Sequence, residues 1–100
     1  MTKEIAARLA KYPIHSQDGK GRDAVIVCKF FFGSFTWYVL EGRKDGDDYE
    51  FFGVVDNAGR RECGYFTLSQ LEAVRFRGMG VERDVCFAPQ TIADCEDLNN

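Results

Sequence analysis

Hydrophobic spacing changes character several times along this chain. Ile5 and Leu9 stand four apart, with Ala6, Ala7 and Ala10 beside them. That spacing predicts a short amphipathic helix over about 3–11, stopped by Pro13. The polar stretch Ser16–Asp23 carries two glycines and reads as a loop. A β-branched and aromatic run follows from Ala24 to Phe32, then a Gly33-Ser34 turn, then a second run from Phe35 to Glu41. Such runs around a two-residue turn predict an antiparallel hairpin. In the second run Phe35, Trp37 and Val39 share one face, and Thr36, Tyr38 and Leu40 share the other. Large side chains on both faces predict a central strand.

A charged loop is expected at Gly42–Asp48, and a third strand at Tyr49–Val55. A turn follows at Asp56–Gly59, then a fourth strand at about Glu62–Phe66. Thr67 with Gln70 forms a capping-box pattern ahead of a helix from Leu68 to about Phe76, which Gly78-Met-Gly80 should end. A last short strand is expected at Asp84–Ala88, before Pro89. The fold class predicted is α+β: an antiparallel meander sheet of about five strands with two short helices on one side. The whole of 1–100 reads as a single domain, with a sheet-and-helix core over about 24–89. The acidic tail 90–100 is expected to be only partly ordered.

Composition supports a folded globule: 45% of residues are hydrophobic, nine of them Phe, and only two are Pro. No stretch reaches the roughly 20 apolar residues of a membrane helix. The charged start, with Lys3, Glu4, Arg8 and Lys11, does not read as a signal peptide, so a cytoplasmic protein is expected. The four cysteines then read as free thiols, with Cys28 and Cys86 packed in strands. Net charge is −3, unevenly spread. Glu41, Asp45, Asp47, Asp48, Glu50 and Asp56 crowd one hairpin region, and Asp84, Asp94, Glu96 and Asp97 the C-terminal end. This disfavours direct nucleic-acid binding, which runs on cationic contacts to phosphate.

Convergent chemistry is scarce. His15 is the single histidine, and no cysteine is placed beside it by sequence. The cysteines lack the C-x-x-C pairing of zinc sites. Gly78-Met-Gly80-Val-Glu-Arg83 has Arg where a dinucleotide fingerprint needs its third glycine, and it follows a helix. Asp45-Gly-Asp-Asp48 lacks the order and closing Glu of a calcium loop. Asp48 and Glu50 share a strand face but have no evident pocket. No catalytic residue, cofactor or metal is therefore expected.

The acidic hairpin suggests a surface for a partner. Glu41, Asp45, Asp47, Asp48, Glu50 and Asp56, held on a stiff sheet, would form a negative ridge suited to a cationic groove. Acidic loops also keep strand edges apart, and that plainer role stays open. The aromatic residues read mostly as core, with one or two available as exposed anchors.

The ordered series Trp37-Tyr-Val-Leu-Glu41, Phe51-Phe-Gly-Val-Val55, Gly64-Tyr-Phe-Thr-Leu-Ser-Gln-Leu-Glu72 and Val81-Glu-Arg-Asp84 resembles a family of small domains of unknown function. Plasmids, phages and other mobile elements carry that family, and the likeness spans about residues 24–90. The chain is similar in size and composition to a member that inhibits type I-C CRISPR-Cas. The resemblance implies an anti-CRISPR protein that binds the large PAM-recognising subunit of type I-C Cascade and blocks target DNA. It would act as a monomer, in the manner of a DNA and PAM mimic. The alternative is a mobile-element adaptor or regulatory protein that binds another host protein.

Overall fold

The computed structural model describes residues 2–99. The Thr2 hydroxyl accepts the Ile5 amide at 3.2 Å and starts helix α1 (Lys3–Leu9). Ile5 and Leu9 are buried, as their spacing requires. The helix ends two residues earlier than expected, in a turn that leads to Pro13.

The strand region divides into β1 (Val25–Ile26), β2 (Cys28–Phe32), β3 (Phe35–Asp45), β4 (Asp48–Asn57) and β5 (Arg60–Thr67). Helix α2 (Leu68–Ala73) follows, with the predicted capping box between Thr67 and Gln70. Four short strands complete the chain: β6 (Arg75–Phe76), β7 (Met79–Gly80), β8 (Glu82–Arg83) and β9 (Gln90–Thr91). The main sheet is antiparallel with five strands in the order β5-β4-β3-β2-β8, so β3 is central. The fold is α+β, with a five-stranded antiparallel sheet and two short helices.

Alternation along β3 gives the sheet two buried faces. Trp37 and Val39 join Phe51, Phe66, Ile5, Leu9 and Leu71 beneath the two helices. Tyr38 and Leu40 join Ile26, Val54 and Cys95 on the opposite face. Between Val39 and Glu41 the register with β4 shifts by a β-bulge. Leu40 is the extra residue, so Glu41 turns to the same face as Tyr38 and Leu40. Gly53 lies opposite Val39, where a Cβ would stand 2.0 Å from the Tyr38 carbonyl oxygen. No side chain fits at that point.

Four expectations need correction. The charged loop at 42–48 is mostly strand: β3 runs to Asp45 and β4 starts at Asp48, joined by the two-residue turn Gly46-Asp47. Helix α2 stops at Ala73 rather than near Phe76, and 84–88 is not a strand. Arg77 and Gly78 both take positive φ (53° and 79°), which suits the tight turn of a hairpin, so β6 and β7 pair instead of prolonging the helix. The tail is not loosely held either. Gln90–Thr91 pairs with Val25–Ile26, Cys95 is 2% exposed, and Phe87, Ile92 and Leu98 pack on the second sheet face. The acidic composition masked these apolar anchors. The Cα radius of gyration is 12.9 Å, and no helix among the described residues is long and apolar enough to cross a membrane.

Candidate functional site

The hairpin carboxylates do not form one ridge. Glu41 is 2% exposed. Its two oxygens accept the backbone N–H groups of His15 and Gln17, each at 2.8 Å. Gln17 extends the network: its amide donates to the Val25 and Leu40 carbonyls at 2.8 and 2.6 Å and accepts the Val25 amide at 2.6 Å. Glu41 thus fastens the 13–24 loop to the sheet. It cannot meet a partner as expected, because its carboxylate is buried against that loop.

The other five divide. Glu50 is half-buried and accepts the Arg43 guanidinium at 2.9 Å. Asp56 accepts Arg61 at 2.8 Å and the Gly59 amide at 2.9 Å. The Arg61 bond holds its carboxyl below the usual aspartate range. Asp48 takes the Ser69 hydroxyl at 2.6 Å and the Ser69 amide at 3.0 Å, joining the hairpin to the start of α2. Those bonds, led by the Ser69 hydroxyl, lower its pKa as well. Asp45 and Asp47 at the turn are exposed, with no ion pair among the described residues. Pairing and inward turning reduce the expected six-residue surface to a two-residue tip.

A denser acidic feature lies elsewhere. A groove of about 510 Å³ is lined by Lys29, Asp84, Phe87, Asp94, Glu96 and Asp97, among others. Lys29 on β2 reaches Asp97 at 2.6 Å and Asp84 at 3.9 Å, with its ammonium 5.6 Å from the Tyr38 ring and 5.9 Å from that of Phe87. The Lys29 hydrogen bond keeps the Asp97 carboxyl below its usual range. Burial, reinforced by Asp97, raises the Tyr38 phenol. Asp94 and Glu96 are exposed and stand outside these ion pairs. Four acidic residues and Lys29 therefore line one groove, and Lys29 pairs with two of the four. On the flank of the tail, Arg61 donates to the Asp97 and Leu98 carbonyls at 2.8 and 3.0 Å, and Arg22 bonds Asn99. These bonds fix the groove wall.

The groove was signalled by the acidic excess in 84–100, but not its shape, which depends on the tail packing against Tyr38. It is also remote from the hairpin tip. Lys29 pairs with Tyr38, and Asp45 stands seven residues farther along β3, roughly 20 Å away at the rise of a strand. The two acidic places are separate surfaces.

The remaining reactive groups are dispersed. The His15 ring lies 3.0 Å from Asp18 and is solvent-exposed. Cys28 and Cys95 are buried, Cys63 and Cys86 exposed, and all four are free. Cys86 was expected inside a strand and instead lines the groove. Burial pushes the Cys28 thiol up to about 12. Among the described residues, no three His, Cys, Asp or Glu side chains gather closely enough to hold a metal ion.

The family described as "Protein of unknown function (DUF2958)" matches residues 1–94. No curated protein and no solved structure matches the chain.

Proposed function

The chain belongs to the DUF2958 family of unknown function, and from there we propose that it acts by stoichiometric binding to a nucleic-acid-handling protein. The partner is the large PAM-recognising subunit of type I-C Cascade, an assignment supported by the chain's likeness in size and composition to a family member that inhibits that system. One observation carries the binding mode: Asp84, Asp94, Glu96 and Asp97 line one groove with a single ammonium among them. Carboxylates gathered along one groove offer a cationic surface what a phosphate backbone offers it. The imitation of DNA is therefore assigned to the tail groove, with Asp45 and Asp47 as a lesser, separate contact. The protein performs no chemistry in this reading.

A gel-shift assay tests the proposal. Purified type I-C Cascade is titrated with this protein on PAM-containing duplex DNA. The shifted band should fade with increasing protein, and the inhibition should weaken as salt rises. An unchanged band at large molar excess refutes the assignment.

A second reading has its own observation. Phe76 and Met79 are 63% and 67% exposed on the β6–β7 hairpin, beside Phe31. Apolar side chains of this size, next to Arg77, have the composition of a protein-binding anchor. This favours a mobile-element adaptor or regulatory protein for another host protein. Loss of partner capture on Phe76→Asp, with the acidic groove intact, would select it.

A further inference from the structure

The sheet order leaves β5 with a free flank over all eight of its residues, whereas β8, at the opposite edge, has only two. Edge strands are commonly guarded by charged side chains, Pro or a bulge. Strand β5 (Arg-Arg-Glu-Cys-Gly-Tyr-Phe-Thr) has no Pro, its register with β4 is unbroken, and its charges are confined to Arg60, Arg61 and Glu62 at one end. The two-residue turn Ala58-Gly59, with φ of 52° and 93°, closes on the Asn57–Arg60 pair. Counting from that pair, Arg60, Glu62, Gly64 and Phe66 direct their backbone groups to β4. Arg61, Cys63 and Tyr65 direct theirs outward.

We infer that a second copy of this chain occupies this edge, β5 against β5, antiparallel about a two-fold axis at Cys63. The side chains support that occupant. With Cys63 opposite its own copy, each Arg61 faces the partner copy's Tyr65. The Arg61 guanidinium spends its N–H edge on Asp56 and on the carbonyls of Asp97 and Leu98. Its flat face is left for an aromatic ring. Tyr65 is 54% exposed, and its ring is already steadied against Phe52 at 5.0 Å between centroids. Arg60 would face the partner copy's Phe66, and Glu62 its Gly64. No like charges stand directly opposite each other, so the edge complements itself. The result is a continuous sheet through both copies, replacing the single chain expected from sequence.

Light scattering across a dilution series tests this on the reduced Cys86→Ser protein, in which Cys63 is the one exposed thiol. The mass should rise with concentration from 11.4 kDa towards twice that value. Mild oxidation should then trap a dimer through Cys63. Tyr65→Lys puts a cation opposite each Arg61 and should weaken dimerisation about tenfold, with an unchanged circular dichroism spectrum. Tyr65→Phe should dimerise normally. A single-chain mass at every concentration overturns the inference. So does a dimer indifferent to Tyr65→Lys, or one that oxidation traps without Cys63.

Discussion

Replacing Glu41 with Gln tests the reading of that residue as a structural anchor. The change keeps shape and removes charge. One carboxylate oxygen becomes an amide NH₂, which meets the His15 or the Gln17 N–H, both now bound at 2.8 Å. One charge-assisted hydrogen bond is lost and one buried donor is left facing another donor. Hydrogen bonds to charged groups contribute about 1.5–3 kcal/mol, and a stranded buried donor costs about 1–3 kcal/mol. These overlap, so a total near 2–4 kcal/mol is expected. For a domain of this size that corresponds to a fall in Tm of roughly 10–20 °C. Thermal unfolding followed by circular dichroism reads it directly. A Tm within a degree or two of wild type would mean that Glu41 does not anchor the 13–24 loop. Glu41→Lys, an obvious reversal in any test of the acidic hairpin, should unfold the protein, so lost binding in that variant would say nothing about the interface.

Three further outcomes are expected. Ala58 holds φ of 52° in a tight turn, so Ala58→Gly should stabilise the fold by about 0.5–1 kcal/mol in urea titrations; a loss of stability would contradict that strain. A thiol-reactive chromophore should label Cys63 and Cys86 promptly. Cys28 and Cys95 should react only after unfolding, and rapid labelling of all four in native buffer would refute the packing described. Asp97 and Asp56 are held below the ordinary aspartate value of 3.8 by Lys29 and Arg61. Depressed carboxyls stabilise the fold above that value and lose their contribution as pH falls through their lowered values. Asp97→Asn should therefore lose less stability than wild type on acidification below 3.8, and equal losses would refute the Lys29 pairing.

The main sheet was legible because period-two alternation and paired turn residues are local signals. Gly33-Ser34, Asp56–Gly59 and the Thr67/Gln70 capping box each act within a few residues, and the elements they bound are present. The buried state of Glu41 was not legible. It follows from bonding to Gln17, 24 residues away in sequence, which leaves no mark in composition. The pairing of Glu50 and Asp56 with arginines follows from cross-strand register, since Arg43 stands opposite Glu50 and Arg61 opposite Asp56. A register inferred from the predicted hairpins could have exposed both pairs. The tail misled because charge dominated its reading, while Phe87, Ile92, Cys95 and Leu98 supply the apolar contacts that hold it. Its negative charge was visible from the start, but its convergence with Lys29 and Asp84 required the folded chain.

Two double charge reversals, assayed by competition against PAM-containing DNA for purified type I-C Cascade, separate the two acidic surfaces. Asp94→Lys with Glu96→Lys should abolish competition, whereas Asp45→Lys with Asp47→Lys should stay within about twofold of wild type, as expected for a remote, solvated contact. Both proteins should keep the wild-type circular dichroism spectrum, since none of the four side chains is buried. Undiminished competition by the folded tail variant would contradict the assignment of binding to that groove.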